Sequence, residues 1–168
     1  MMINTSDGST YCDSLMASGS YLWPMNLAVN KSNGDVFVTG GGDSGHFVYS
    51  FSSTSCTGTG SVDTVGLWPT DIEISQDGTR LFCTNYYSSN ISIVDLTTNT
   101  LLDTVDVMTK PWGITVSPDG KNIYVGIEGG YQSGQTVQVV HTDDFSNYLL
   151  VDSITDIGTG LWDLEYID

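Results

Sequence analysis

The sequence predicts an all-β protein, a β-propeller of four-stranded antiparallel blades with three complete blades and partial blades at both termini. The first observation is a recurring Asp-Thr-Val at residues 63–65 and 103–105, with the variants Asp-Ser-Leu at 13–15 and Asp-Ser-Ile at 152–154. The second is that a tryptophan opens an alternating apolar run soon after each copy, at Trp23, Trp68, Trp112 and Trp162. Repeats of about 40–50 residues made of short strands are typical of propeller blades.

The blade at residues 68–110 is the clearest. Apolar and polar residues alternate over 70–75, 80–85, 90–95 and 101–107, and Asp77-Gly78 is a hairpin turn between the first two runs. This pattern predicts an antiparallel meander of four strands. No stretch has the 3.6-residue period of a useful helix.

The same pattern predicts two further complete blades. The blade at residues 22–67 should hold strands at 25–30, 35–39, 46–52 and 61–66. The blade at residues 111–160 should hold strands at 113–117, 122–127, 136–141 and 148–154. One apolar face of these strands predicts the core between the blades, which comprises Leu27, Val29, Phe37, Ile72, Ile74, Phe82, Ile91, Ile93, Ile114, Val116, Tyr124, Val137 and Val139.

The two termini are predicted to be parts of blades. Residues 1–21 align with the last two strands of a blade, and residues 161–168, with a strand at 162–167, align with the first. Because unpaired strand edges attract other strands, we expect an assembly edge at the ends, formed by Met1, Ile3, Leu164, Tyr166 and Asp168. Three readings stay open: a piece of a longer propeller, pairing with other copies, or closure of a small propeller on itself.

Two segments carry a resemblance to a known family. They are PWGITVSPDGKNIYVG at residues 111–126 and NISIVDLTT at residues 90–98. Both resemble the YVTN-type β-propeller repeat of surface-layer and secreted proteins. The resemblance implies a propeller at the cell surface or outside the cell. It leaves the role open among adhesion module, binding scaffold and enzyme frame.

The net charge of the chain limits the classes of partner that it can bind. There are 20 acidic residues against 4 lysines and arginines, which gives a formal net charge of −16. Nucleic acid is excluded, because its binding needs clustered cations, and anionic membrane surfaces are disfavoured. No run is long enough for membrane insertion, and residues 1–22 lack the pattern of a signal peptide. At this length we expect one array of blades.

Cysteines and sequons suggest modifications. Cys83 lies in a predicted strand and should be a core residue. Cys12 and Cys56 fall at the same end of neighbouring blades, so either a disulfide or two free thiols fits the sequence. Three Asn-X-Ser/Thr triplets, at Asn4, Asn30 and Asn90, are glycosylation candidates, with Asn90 favoured because we place it in an exposed loop.

No catalytic constellation stands out. His46 and His141 have no neighbour that suggests a triad or a metal site, so both are interpreted as surface polar residues. Carboxylates at Asp43 and at Asp143-Asp144 could bind calcium only weakly, because they lack the dense ligand spacing of a calcium loop; we expect no other cofactor. A metal-dependent, lactonase-like hydrolase remains an alternative. It would use acidic or amide residues of the inner strands, namely Asn26, Asp71, Glu73, Asp163 and Glu165.

One end of the propeller is predicted to be rich in aromatic side chains. In a meander, the loops between second and third strands share an end with the connections between blades. This end should carry Trp23, Trp68, Tyr86, Tyr87, Trp112, Tyr131 and Trp162. Such rings beside amides and hydroxyls suit a glycan or a protein ligand, although the tryptophans could instead pack between blades.

The leading interpretation is a non-enzymatic, extracellular structural or binding propeller. It could be a subunit of a surface layer, sheath or filament that completes its partial blade with another copy or segment. The alternatives are the hydrolase and a carbohydrate-binding module.

Overall fold

The computed structural model describes residues 2–3, 10–12, 23–41, 46–55, 58–62, 65–128, 135–158, 164–165 and 167. These residues contain strands and no helix, so none is present that is long and apolar enough to cross a membrane. The strands are β1 (Met2–Ile3), β2 (Thr10–Cys12), β3 (Trp23–Val29), β4 (Val36–Gly41), β5 (Phe47–Phe51), β6 (Gly58–Val62), β7 (Pro69–Ile74), β8 (Arg80–Asn85), β9 (Asn90–Asp95), β10 (Thr100–Asp106), β11 (Pro111–Val116), β12 (Asn122–Ile127), β13 (Thr136–His141) and β14 (Leu149–Ile154).

Three four-stranded antiparallel sheets confirm the predicted fold class. Their strand orders are β3-β4-β5-β6, β7-β8-β9-β10 and β11-β12-β13-β14, and we call them blades one, two and three. Strands β1 and β2 pair antiparallel in a separate two-stranded sheet. The fourth strand of blade one lies at Gly58–Val62, three residues earlier than predicted. The predicted strand at 162–167 is wrong at residues 164, 165 and 167, which are in no strand, and its other positions lie outside the described residues.

The turns after the inner strands explain why consecutive strands reverse. Gly78 and Gly120 have φ of 75° and 72°, a conformation that favours glycine. The hydroxyls of Ser75 and Ser117 each donate a 2.6 Å hydrogen bond to the aspartate two residues later. These bonds are the largest cause that lowers the pKa of Asp77 and of Asp119. The Asp-Gly pairs are therefore hairpin turns, as predicted.

The inner strands β3, β7 and β11 lie side by side. Threonines of the second strands join them. Thr39 Oγ1 donates to the Thr70 carbonyl oxygen at 3.2 Å, and Thr84 Oγ1 donates to the Trp112 carbonyl oxygen at 2.9 Å. Each threonine thus connects its own blade to the next inner strand. These bonds fix the rotation of one blade relative to the next.

Apolar packing between blades forms two clusters. The first lies between blades one and two and contains Phe37, Val48, Val62, Ile72, Ile74, Leu81, Cys83 and Val94. The second lies between blades two and three and contains Phe82, Ile91, Ile93, Val105, Ile114, Ile123, Val125, Ile127, Val140 and Tyr148. Both faces of the first three strands of blade two are therefore mostly buried, as stacked sheets require, whereas its outer strand β10 is largely exposed.

The predicted core is right for Phe37, Ile72, Ile74, Phe82, Ile91, Ile93, Ile114 and Val137, and it is wrong mainly at the sides of the array. Leu27 and Val29 are exposed, and Val116, Tyr124 and Val139 are only half-buried. Leu27 and Val29 point away from blade two, and Tyr124 and Val139 point away from blade two on the other side. The interpretation assumed that every blade is covered on both faces, and it missed buried residues such as Leu81 and Ile123 on the opposite faces.

Candidate functional site: an aromatic row at the entry end

The inner strands all begin at one end of the array, which we call the entry end. The loop between β8 and β9 lies at the same end, because β8 runs back towards the start of β7. Its backbone is tied to the entry of β7: the amide of Tyr86 donates to the Trp68 carbonyl oxygen at 2.9 Å, and that of Tyr87 to the Leu67 carbonyl oxygen at 3.2 Å. The two tyrosines therefore have fixed positions beside Trp68.

Trp68 is held in an uncommon backbone conformation. Its φ is 59°, immediately before Pro69. Its amide donates to Nδ1 of His46 in blade one at 3.1 Å. A Cβ at Gly41 would lie 3.1–3.2 Å from the indole ring, a tight contact, so the glycine lets the ring pack closely there. Residues of blade one therefore help to position the Trp68 ring of blade two.

Five rings form a continuous row, which we call the aromatic row: Trp23, Trp68, Tyr87, Tyr86 and Trp112. Successive ring centroids are 6.1, 5.5, 5.1 and 5.7 Å apart, and every contact is edge-to-face with interplanar angles of 66–85°. These distances lie in the range in which aromatic pairs attract. Because the rings come from all three blades, the row crosses both blade boundaries.

The row has exposed and half-buried members. Tyr87 is 65% exposed and Trp23 is 62% exposed, whereas Trp68, Tyr86 and Trp112 are half-buried. Each exposed ring contacts at least one half-buried ring. The result is an apolar surface at the entry end whose shape is set before any partner arrives.

Polar groups lie next to the row at the boundary of blades two and three. The Tyr86 hydroxyl donates to Oε2 of Glu128 at 2.9 Å. Burial, followed by this carboxylate, raises the pKa of Tyr86 to about 12, so the phenol is neutral at ordinary pH. The ammonium of Lys110 lies 5.8 Å from the centre of the Tyr86 ring, within the distance of a cation–π contact. One positive and one negative side chain therefore flank the row.

The predicted equivalence of the tryptophans needs a correction. The amide of Glu128 donates to the Lys110 carbonyl oxygen, as that of Tyr86 does to Trp68, and Lys110 shares the positive φ before a proline. Lys110 therefore occupies in blade three the place that Trp68 occupies in blade two. Trp112 lies two residues further on and reaches the row from inside the inner strand.

Asp71 lies beneath the row, on the inner strand of blade two. Its Oδ1 accepts hydrogen bonds from the Asn26 side-chain amide of blade one and from the amide of Ile72 at 2.8 Å. Its Oδ2 accepts from the amide of Ile114 of blade three at 2.7 Å. The buried carboxylate therefore joins three blades, which is a structural role that satisfies its charge with donors.

The remaining candidates are scattered. His141 bonds to Asn122 and Asp143, and Asp143 and Asp144 lie on a surface bend. Among the described residues, no group of three His, Cys, Asp or Glu side chains could hold a metal. Glu73 and Glu165 line a cavity of about 450 Å³ at the opposite end of the inner strands, together with Lys31.

The structure also shows how far the candidate glycosylation and thiol sites are buried. Asn30 is buried; its amide nitrogen donates to the Gly78 carbonyl oxygen at 2.9 Å, so this placement disfavours it as a glycan acceptor. Asn90 begins β9 and is half-buried, not in an exposed loop. Cys83 is a buried free thiol, as expected, and its pKa is raised by burial.

Two further predicted residues lie in strands, and nine lie outside the described part of the chain. Cys12 and Ile3 lie in strands β2 and β1. The other positions lie outside the described residues: Met1, Asn4, Asp43, Cys56, Tyr131, Trp162, Asp163, Tyr166 and Asp168.

Sequence reasoning missed the supports of the row. His46 was interpreted as a surface polar residue, yet it accepts the Trp68 amide. Neither Glu128 nor Lys110 was given a role at the entry end. The available signal was their position: each directly follows or precedes a strand at the entry end.

Comparison with known proteins gives the fold. No family model and no curated protein sequence matches the chain. Among solved structures, it is similar to the hydrazine synthase of Kuenenia stuttgartiensis, with a TM-score of 0.70 and 26% identity over 83% of this chain and 38% of that one. It is also similar to a Lactobacillus plantarum protein, with a TM-score of 0.67 and 19% identity over 79% of this chain and 41% of that one.

The WD40 repeats of RRP9 are a third similar structure. The TM-score is 0.62, with 16% identity over 84% of this chain and 40% of that one. The chain thus spans less than half the length of these structures. With three antiparallel blades and these neighbours, the chain has a β-propeller fold.

Proposed function

We propose that this chain is a non-enzymatic binding propeller whose aromatic row is the contact surface for a protein partner. The observation that carries the proposal is the continuity of the row: five rings from three blades contact one another in sequence. Tryptophan and tyrosine are the residues that most often carry the free energy of protein–protein binding. A row across blade boundaries suits an extended partner better than a small molecule.

The form of the surface supports a protein partner. The half-buried rings hold Tyr87 and Trp23 in place, so little conformational entropy is lost when a partner covers them. Lys110 and Glu128 flank the rings as a polar border, and polar rims around apolar centres are usual at interfaces. Two cavities, of about 450 and 370 Å³, lie at the opposite end, beside the Asp77 and Asp119 turns.

A glycan is the second candidate for the row. The two strongly exposed rings, Trp23 and Tyr87, can stack on the apolar face of a sugar, and a neutral ligand does not oppose the net charge of −16. We do not propose the metal-dependent hydrolase. The carboxylate of Asp71, the most buried inner-strand acid that it would use, already accepts three hydrogen bonds.

We also propose an extracellular or cell-surface location and membership of the YVTN-type family. Support comes from the acidic surface and from the segment at residues 111–126. Detection of the protein in the medium or on the surface of the producing cells tests the location.

The experiment uses two defined probes, a random-peptide display library and a glycan array. The protein is compared with Trp23→Ala, Tyr87→Ala and the control Leu102→Ala, which removes an exposed leucine on the outer strand β10. We expect peptides that lose about 30-fold in affinity with either row variant, since an interface hot spot is worth about 2 kcal/mol or more. The control should bind like the unchanged protein.

Each outcome decides between the candidates. Binding to saccharides alone, lost in the row variants, would favour the glycan. Peptide binding that is equal in all variants, or no binding to either probe, would contradict the proposal.

A further inference from the structure

The two outer sides of the three-blade array are halves of an interface that the chain makes twice internally. We call the side of blade one that points away from blade two the leading face; it carries Leu27 and Val29. We call the side of blade three that points away from blade two the trailing face; it carries Tyr124, Val139 and Ile154. The pairing register places each of these residues opposite a same-face partner in the next strand.

Register shows which internal residues occupy the same positions. Leu27 pairs with Val38 of its second strand, as Ile72 pairs with Cys83 and Ile114 with Val125. The internal residues are covered by the preceding blade and are 3% and 2% exposed, whereas Leu27 is 60% exposed. The leading face therefore has the residue type and position of a covered face, but the described contacts leave it open.

The trailing face shows the same relation at its outer strand, although Val137 beside it is buried. Ile154 pairs with Val137, as Val105 pairs with Ile91 and Val62 with Val48. Val105 and Val62 are 8% and 3% exposed, whereas Ile154 is 49% exposed. Tyr124 stands where Phe82 and Phe37 stand in the other blades.

At both internal boundaries, the side of one blade that corresponds to the trailing face packs against the side of the next blade that corresponds to the leading face. Phe37 and Ile72 belong to one cluster, and Phe82 and Ile114 belong to the other. We propose that a second copy of this chain makes the third such contact, with the trailing face of one copy, at Val139 and Ile154, against Leu27 of the next. A second copy is the occupant because it brings the complementary face at its opposite side. The proposal does not depend on the aromatic row.

This contact uses different surfaces on the two copies, so it is repeated head to tail and ends in a closed ring or continues as a fibre. Because each copy carries a net charge of −16, salt that screens repulsion should strengthen the contact. The interaction is through blade faces, in contrast to the strand-edge pairing of the termini that the sequence suggests.

The first test is sedimentation velocity over a range of protein and salt concentrations. We expect species larger than the 18.1 kDa monomer. Leu27→Lys should weaken association at least about tenfold, because a lysine would have to be buried in the contact. Leu102→Lys, a leucine exposed on the outer strand β10, is the matched control and should associate like the unchanged protein. A monomer at every concentration, or association that Leu27→Lys leaves intact, would overturn the proposal.

The second test asks which faces meet. Leu27→Cys and Val139→Cys are made separately in a Cys12→Ala, Cys56→Ala background and treated with a short bismaleimide, alone and mixed. The buried Cys83 should stay unmodified. We expect cross-linked pairs only in the mixture. Cross-linking of Leu27→Cys with itself would show a symmetric contact, and no cross-linking of associated protein would show other surfaces; both results contradict the head-to-tail contact.

Discussion

Replacing Asp71 by alanine should be among the most destabilising polar substitutions in the chain. The carboxylate is 5% exposed and accepts hydrogen bonds from the Asn26 amide and from the backbone amide of Ile114, which belong to the two neighbouring blades. Alanine leaves the buried backbone amides of Ile72 and Ile114 without this acceptor, and each unsatisfied buried group costs about 1–3 kcal/mol, whereas the exposed Asn26 amide can bond to water. The free energy of unfolding should therefore fall by about 2–6 kcal/mol. Asp71→Asn keeps one acceptor oxygen and should cost about half as much.

Urea unfolding followed by circular dichroism measures these differences. Asp143→Ala is the matched control, because its side chain is 96% exposed and lies on a bend. Its effect should stay within about 0.5 kcal/mol. If Asp71→Ala changes the free energy of unfolding no more than this control, the carboxylate does not join the blades as described.

Three further results are expected. Phe82→Ala empties a fully buried site and should lower the free energy of unfolding by about 3–5 kcal/mol in urea titration; a neutral result would mean that blades two and three are not packed as described. The folded pKa of Asp77 lies below its ordinary 3.8, so its stabilisation is complete above that pH and is lost as the pH falls through the folded pKa. Ser75→Ala removes the hydrogen bond that lowers the pKa of Asp77 most, so the free energy of unfolding should depend less on pH in the acid range. An unchanged pH dependence would contradict this role of Ser75. Tyr86 should ionise near pH 12, against an ordinary 10, so its contribution to stability is present below pH 10 and is lost as the pH rises to 12. Tyr86→Phe should remove one late step from an ultraviolet titration, and the loss of an early step instead would refute this placement.

The fold could be predicted because its signals are local. Alternation with period two marks each strand, and Asp77-Gly78 and Asp119-Gly120 supply turns that only a few residue types adopt. The fourth strand of blade one was misplaced, at Gly58–Val62 instead of 61–66, because glycine, serine and threonine give little alternation there.

Which face of a strand is buried could not be read from alternation alone. In β12, Ile123 and Val125 are buried and Tyr124 is half-buried, although both faces carry apolar residues. Burial depends on whether another blade covers that face, which is a tertiary property. The same holds for Leu27, whose equivalents in the other blades are covered.

The positions of the aromatic rings were predicted in outline. Loop positions place Trp23, Trp68, Tyr86, Tyr87 and Trp112 at one end, and the structure brings their rings into contact. The contacts of His46 with Trp68 and of Glu128 with Tyr86 depend on how blades rotate against each other, and residue spacing carries no record of that rotation.

Contacts between ring protons measured by nuclear Overhauser spectroscopy test most directly whether three blades build one aromatic surface. The account predicts cross-peaks between Trp23 and Trp68, and between Tyr86 and Trp112, whose ring centroids are 6.1 and 5.7 Å apart. Single replacements of Trp23 and Trp112 by phenylalanine assign the signals. Dispersed ring signals without cross-peaks between blades would contradict the account, because the surface proposed for the partner would then not exist.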